Sequence, residues 1–166
     1  MFPAGLPQPD ALGLTSSNVI IIITYMSATN VQFSVAAHVM VVLGFHHGED
    51  LTSATLAESV NADPSFVRRT LSKLAKSGLV IATRGKNGAS ILARPPNKIT
   101  MLEIYRASEA PRAFAIHAYA PMKSCSISCN IKRSLAQVLD EAQGAFEASL
   151  AKQRLAEVIA DVRRGA

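Results

Sequence analysis

One segment, Pro64–Lys76, restricts the possible folds most, because its residues fit only a helix with two unlike faces. Asp63 precedes the segment as an N-cap, Pro64 occupies the first helical position, where a missing N–H costs no hydrogen bond, and Gly78 follows its end. Polar and basic residues recur at helical spacing along one side and form what we call the cationic face: Ser65, Arg68, Arg69, Ser72, Lys73 and Lys76. Apolar residues occupy the opposite side, so we expect a helix that packs with one face and exposes the other.

The cationic face belongs to a longer region that has no acidic residue. Residues 64–102 carry eight basic side chains and no carboxylate, whereas residues 1–62 carry four acids and no Lys or Arg. A region with one sign of charge attracts a polyanion. An ordinary solvated helix would interleave Glu or Asp with its basic residues. The pattern therefore favours nucleic acid binding over the alternative of a merely soluble basic protein.

The elements around this helix predict a winged helix-turn-helix. A largely apolar helix over residues 30–47 and a short helix capped by Thr52 or Ser53 precede it, and strands over residues 79–83 and 90–93 follow it. The Asn-Gly pair between these strands is typical of a tight hairpin. The fold class expected is mainly α with a small β-hairpin wing.

This arrangement indicates double-stranded DNA as the partner. A helix fits the major groove, where Arg can bind guanine through two hydrogen bonds, and a wing can reach an adjacent groove or the phosphate backbone. The candidate DNA-binding residues are Ser65, Arg68, Arg69, Ser72, Lys73, Lys76, Arg84 and Lys86.

The C-terminal region predicts a helix that is longer than one small domain needs. A helix over residues 131–162 would be roughly 48 Å long. Its apolar stripe favours pairing with the same helix of a second copy, and the alternative is that it folds back on its own domain. The candidate dimerisation residues are Leu135, Leu139, Phe146 and Leu150, and the stripe continues through Leu155, Ile159 and Val162.

Two cysteines, Cys125 and Cys129, are the candidate redox-sensing residues. On a helix, residues four apart lie on one side with Cα atoms roughly 6 Å apart, which a disulfide can bridge. Nearby basic residues favour the thiolate, and the alternative is two ordinary small hydrophobic thiols. A metal site would need His117 as a third ligand at a spacing that is poor for zinc. We therefore expect no cofactor, neither zinc nor an iron–sulfur cluster.

These features divide the chain into four parts. Residues 1–25, interrupted by three Pro, predict a loose tail or a mis-set start, with Met26 as the natural start. Residues 26–108 predict the winged helix-turn-helix, residues 109–130 a connecting and sensor segment, and residues 131–166 the dimerisation helix.

Several classes of protein are not expected. The sequence has no nucleophile elbow, phosphate loop or zinc-enzyme motif, so we do not expect an enzyme. The early apolar run, residues 19–23, is far too short to span a bilayer, and no Lys or Arg precedes Arg68, as a secretory signal would require. Two cysteines form no disulfide framework, and a cytoplasmic location is expected.

Short motifs distributed from about Met26 to Leu155 resemble one family. They are Gln32-Phe33-Ser34, Asp63-Pro64-Ser65-Phe66-Val67-Arg68-Arg69, Gly78-Leu79-Val80, Thr83-Arg84-Gly85, Leu92-Ala93-Arg94-Pro95, Ile99-Thr100 and Ile104-Tyr105. Together they resemble the Rrf-two family of bacterial winged-helix transcription regulators, which includes the iron–sulfur cluster regulator, the nitric-oxide-sensitive repressor and the cysteine-metabolism repressor. The resemblance implies a homodimer joined by the C-terminal helix, a palindromic operator, and DNA contacts from Arg68, Arg69 and the wing.

The sequence departs from the family pattern in two places. Many cluster-bearing members have three cysteines just before the dimerisation helix, whereas this chain has two, and the Gly-Gly-Gly common in the wing is reduced to Gly88. The resemblance favours Cys125 as the sensing thiol. The function expected is a homodimeric DNA-binding repressor with a cysteine-based redox switch. The alternatives are a winged-helix module that binds another protein, or a regulator that responds to a small molecule or a metal.

Overall fold

The computed structural model describes residues 31–82 and 88–165 of the chain. The expected tail at residues 1–25 and the wing residues Arg84 and Lys86 lie outside the described residues. The helices are α1 (Val31–Phe45), α2 (Ser53–Val60), α3 (Pro64–Lys76), α4 (Met101–Ala107), α5 (Ser126–Lys152) and α6 (Leu155–Gly165). The strands are β1 (Leu51–Thr52), β2 (Val80–Ala82) and β3 (Ala89–Leu92), and a 3-10 turn covers Pro96–Lys98.

The three short strands form one antiparallel sheet in the order β1-β3-β2. Val80 pairs with Leu92 between β2 and β3, and Leu51 pairs with Ser90 between β1 and β3. The predicted fold class, mainly helical with a small hairpin, is confirmed. The sequence did not predict β1, because a strand of two residues is too short to show an alternating pattern.

Helix α1 is the centre of the core, as its uniform hydrophobicity predicted. Its residues Val35, Val39, Met40 and Leu43 are buried. Helices α2, α3, α4 and α6 all pack against it. Because α3 contributes its apolar face to this cluster, its other face is held towards solvent.

The prediction of one uninterrupted helix over residues 131–162 is wrong. Helix α5 begins earlier, at Ser126, and ends at Lys152; the chain then runs extended through Gln153, and α6 begins at Leu155. The backbone N–H of Met101 donates to the Gln153 carbonyl (3.0 Å), and that of Leu155 donates to the Ile99 carbonyl (2.9 Å). These bonds satisfy backbone groups that the break would otherwise leave unpaired.

Helix α6 packs back on its own domain. Leu155 and Ile159 belong to the buried core. Gly44 in α1 permits this close approach, because a Cβ there would collide with the Ile159 side chain. Arg163 covers the other end of the contact, with its guanidinium 5.2 Å from the centroid of the Phe45 ring. None of the helices in the described part of the chain has the length and hydrophobicity that a membrane span needs.

Candidate nucleic-acid interface

Helix α3, which carries the cationic face and which we call the recognition helix, is fixed by its cap and by its apolar face. The Asp63 carboxylate accepts hydrogen bonds from the backbone N–H groups of Ser65 (2.9 Å) and Phe66 (3.1 Å). The Ser65 hydroxyl also donates to Asp63, and this bond, followed by the backbone bonds, holds the pKa of the Asp63 carboxyl below its usual range. Val67 and Leu74 are fully buried on the opposite side. The helix is therefore capped and packs with one face while exposing the other, as its sequence predicted.

The exposed side of α3 carries cations that are free to meet an anion. Arg68, Ser72 and Lys76 are exposed, and the structure shows no hydrogen bond or ion pair from their side chains to other described residues. The Arg69 guanidinium lies 5.7 Å from the centroid of the Phe66 ring, which supports it from one side while leaving it in solvent. These side chains can reach base edges or phosphate oxygens without first breaking an ion pair.

Lys73 is placed differently from the rest of the cationic face. Its side chain is 30% exposed, and its ammonium donates to the Ser108 carbonyl (3.2 Å) and lies 3.1 Å from the Glu109 carboxylate. Both partners belong to the turn that follows α4. Its charge is thus directed towards the protein.

The strands on either side of the wing are described, although its tip is not. Strand β2 ends at Ala82, and Gly88 precedes β3 with a positive φ of 30°. The two strands pair in register from Val80–Leu92 to Ala82–Ser90. The hairpin that the sequence predicted is therefore formed up to both ends of the segment carrying Arg84 and Lys86.

Gln143, a buried amide on α5 that was not among the predicted site residues, joins this helix to α4 and to the segment that follows α4. Gln143 is 5% exposed; its Oε1 accepts from the Ala113 N–H (3.0 Å), and its Nε2 donates to the Tyr105 hydroxyl (3.3 Å) and to Glu147 (3.0 Å). The bond from Gln143, and then that from Arg106, holds the pKa of Glu147 below its usual range. A polar residue at the helical spacing of the Leu139–Phe146–Leu150 stripe was the signal that could have revealed it.

Both candidate redox cysteines lie at the N-terminus of α5. Cys125 is the N-cap residue and is half-buried; its Sγ accepts from the backbone N–H of Ser128 (3.5 Å). Cys129 is exposed in the first turn, and its thiol donates to the Met122 carbonyl (3.6 Å). Both thiols are free.

The described residues of one chain show no cluster of potential zinc or iron–sulfur ligands. Within residues 31–82 and 88–165, no three His, Cys, Asp or Glu side chains come together. His117, the third ligand considered from the sequence, lies against Tyr119, with 5.6 Å between ring centroids. The two thiols thus have no third ligand beside them in this part of the chain.

The four candidate dimerisation residues separate into two pairs. Phe146 packs edge-on against Tyr105, with ring centroids 5.3 Å apart, and Leu150 is buried in the core of the same chain. Leu135 and Leu139 are half-buried on the N-terminal half of α5. Three large apolar side chains outside the predicted stripe are exposed on this half of α5: Ile127, Ile131 and Val138.

A shallow apolar groove lies between α1 and α6. It has a volume of about 480 Å³ and is lined mainly by Val41, Val42, Phe45, Val158 and Val162.

Comparison with known proteins agrees with this architecture. Residues 29–161 match the model of the Rrf2 family, described as iron-dependent transcriptional regulators. YwnA of Bacillus subtilis, an HTH-type transcriptional regulator by name, is 33% identical over 131 residues, which cover 78% of this chain and 96% of YwnA.

Solved structures show the same fold. A transcriptional regulator from Lactobacillus plantarum superposes with a TM-score of 0.69 at 27% identity, covering 81% of this chain and 91% of that one. CymR, the global cysteine regulator of Bacillus subtilis, superposes with a TM-score of 0.57 at 22% identity, covering 78% and 93%. These relatives are regulators and not enzymes, in agreement with the expectation from the sequence. The chain belongs to the Rrf2 family of winged-helix, DNA-binding transcriptional regulators.

Proposed function

We propose that this protein is a homodimeric repressor that binds a palindromic DNA operator and responds to oxidants through its two cysteines. The observation that carries the proposal is the exposed face of α3, where Arg68, Arg69 and Lys76 project from a helix whose other side is locked in the core. A helix with such a face matches the width of the major groove. Arg68 is the proposed base contact, and Ser72, Lys76 and the wing residues Arg84 and Lys86 are proposed phosphate contacts.

The proposed dimer forms through the N-terminal half of α5. Ile131 and Val138 are exposed there beside the half-buried Leu135 and Leu139. These side chains recur at helical spacing, so pairing with the same helix of a second copy would bury them together. A two-fold dimer presents two copies of α3 in opposite directions, which matches a palindromic operator. A dimer seated on a promoter excludes RNA polymerase, so the proposed action is repression.

The proposed switch is a disulfide between Cys125 and Cys129. Hydrogen peroxide would oxidise the first thiol to a sulfenic acid and release one water. The second thiol would then attack that sulfur, forming the S–S bond and displacing a second water. The bond would remove the Cys125 sulfur from its position as N-cap acceptor for Ser128. The first turn of α5 would then change shape next to the proposed dimer contact, which alters the spacing of the two recognition helices.

Fluorescence anisotropy with labelled duplex DNA from directly upstream of the gene tests the proposal. Reduced protein is expected to bind with an affinity that falls by about 10³ or more between 50 and 200 mM salt if six or more phosphates are contacted. Equimolar peroxide is expected to release the DNA, and the Cys125→Ser and Cys129→Ser variants are expected to stay bound.

Each part of the proposal has its own contrary result. Release of DNA by peroxide in both serine variants would place the switch elsewhere. If peroxide does not change DNA binding, the protein remains a DNA-binding regulator, and a small-molecule effector is favoured over the redox switch. Absence of any salt-dependent binding would favour the alternative of a module that binds another protein. Sedimentation equilibrium showing a monomer at micromolar concentration would refute the dimer.

A further inference from the structure

Lys73 has a different environment from every other cation of α3 whose contacts the structure describes. Two oxygen acceptors from outside the helix hold its ammonium: the Ser108 carbonyl at 3.2 Å and the Glu109 carboxylate at 3.1 Å. Lys76, one turn further along the same helix, has no partner among the described residues and is exposed. We infer that Lys73 is a positioning residue, which ties the recognition helix to the turn at residues 108–113, and that it is not a phosphate ligand. The inference rests on the proposed DNA-binding function and deepens it.

The Ser108 carbonyl and the backbone of Glu109 are themselves held in place, whereas the Glu109 side chain is 67% exposed. Ser108 is buried, and its hydroxyl donates to the Tyr105 carbonyl (2.7 Å) and accepts from the Ala110 N–H (3.2 Å). Glu109 has a left-handed backbone with φ of 53°, a conformation that L side chains adopt only where the surroundings impose it. With its amide turned so that the nitrogen faces these oxygens, Gln32 of α1 lies within hydrogen-bond distance of the carbonyls of Ser108 (3.3 Å) and Glu109 (3.0 Å). The Lys73 ammonium is therefore bonded to a turn whose backbone is fixed by other contacts.

The far end of the same turn is attached to α5. The Tyr105 hydroxyl donates to the Pro111 carbonyl (2.9 Å), and the Ala113 N–H donates to Gln143 (3.0 Å). Gln143 also bonds the Tyr105 hydroxyl (3.3 Å). The turn at 108–113 is therefore bonded to α1, to the recognition helix and to α5 at once. The turn thus lies between α5 and the recognition helix, and Lys73 bonds the recognition helix to it.

The dependence of DNA affinity on salt separates a positioning residue from a phosphate ligand. Loss of one phosphate contact lowers the slope of log K against log salt by about 0.9. A residue that only orients the helix changes the affinity and leaves the slope as it was. Two matched variants on one helix provide the comparison, Lys73→Met and Lys76→Met, since Met keeps most of the apolar stem and removes the charge.

We expect Lys76→Met to lower the slope by about 0.9 and Lys73→Met to weaken binding roughly three- to tenfold at an unchanged slope. A slope lowered by Lys73→Met as much as by Lys76→Met would overturn the inference, as would wild-type affinity in Lys73→Met. If the unaltered protein shows no salt-dependent DNA binding, the proposed function fails and the inference with it. That outcome is distinct, because it appears before any variant is compared.

Glu109→Gln provides a second test that does not alter the recognition helix. If Lys73 positions α3 through Glu109, Glu109→Gln weakens DNA binding. The double variant Glu109→Gln, Lys73→Met then binds DNA no more weakly than Lys73→Met alone. If Lys73 binds phosphate, removal of its competing carboxylate strengthens binding. Strengthened binding, or full additivity in the double variant, would overturn the inference. Thermal unfolding midpoints within a few degrees of the unaltered protein show that the comparison concerns DNA binding and not folding.

Discussion

Replacing Leu155 with alanine tests whether α6 belongs to the core of its own domain. Leu155 is 0% exposed and opens α6, where its backbone N–H is bonded to the Ile99 carbonyl. The substitution removes three carbon atoms, a loss of about 2.4 kcal/mol at about 0.8 kcal/mol for each buried methylene. The cavity left behind adds to this loss, and buried Leu-to-Ala changes span about 2–5 kcal/mol. We expect the free energy of unfolding to fall by about 3–4 kcal/mol.

Urea unfolding followed by circular dichroism measures this loss. With a slope of about 2 kcal/mol per molar urea, the midpoint should fall by roughly 1.5–2 M. Val162→Ala is the matched control, because Val162 lies on the same helix but is 45% exposed; its change should stay within about 0.5 kcal/mol. All variants are compared at one protein concentration, since the unfolding midpoint of a dimer depends on it.

The result that would refute the reasoning is a loss at Leu155 no larger than at Val162. A second contrary result is a Leu155→Ala variant whose monomer keeps its free energy of unfolding but whose dimer dissociates more readily. The first outcome would mean that Leu155 contributes little to the core of its own domain. The second would mean that the apolar face of α6 meets another copy, as the interpretation of one long dimerisation helix assumed.

Three further changes have defined outcomes. Arg68→Ala should weaken operator binding by about 1–3 kcal/mol if Arg68 contacts a base, and unchanged affinity in a gel shift would remove it from the contacts. Val138→Glu, at a position that is 58% exposed, should leave the unfolding midpoint of the monomer unchanged but shift the dimer to monomer in light scattering; a persistent dimer would exclude this face. Although burial opposes the effect, hydrogen bonds from Thr100 and Arg94 hold the pKa of Glu103 below its ordinary 4.5. Its contribution to stability is thus present above pH 4.5 and lost as the pH falls through its folded pKa, and Glu103→Gln should flatten this part of the stability profile.

Local patterns predicted the elements that place the site. The Asp63 cap, the proline at the first position of α3 and the two faces of that helix are all present in the structure. Thr100 and Glu103 also have the sequence spacing of a capping box, and both of its hydrogen bonds form at the start of α4. These features depend on residues within one or two turns of each other, so they are set by local chemistry and are visible in the sequence.

Contacts between distant residues were not visible in the same way. The periodicity of residues 131–162 continues across the break between α5 and α6, because the break at Gln153 is short and apolar residues resume directly after it. The pairing of Lys73 with Glu109 joins α3 to the turn after α4. The role of Gln143 depends on three partners, of which two lie thirty or more positions away along the chain.

The sequence by itself determined that α3 would be a capped helix with one apolar and one cationic face, and that a basic hairpin would follow it. Only the tertiary structure decided that α6 folds back on α1 and that Gln143 joins α5 to the turn after α4. It also decided that Lys73 turns inwards, while Arg68 and Lys76 have no side-chain partner among the described residues. The physical reason is the range of the interactions. Caps and faces arise from neighbours along the chain, whereas the direction of a charged or amide side chain depends on which acceptors the completed fold brings within hydrogen-bond distance.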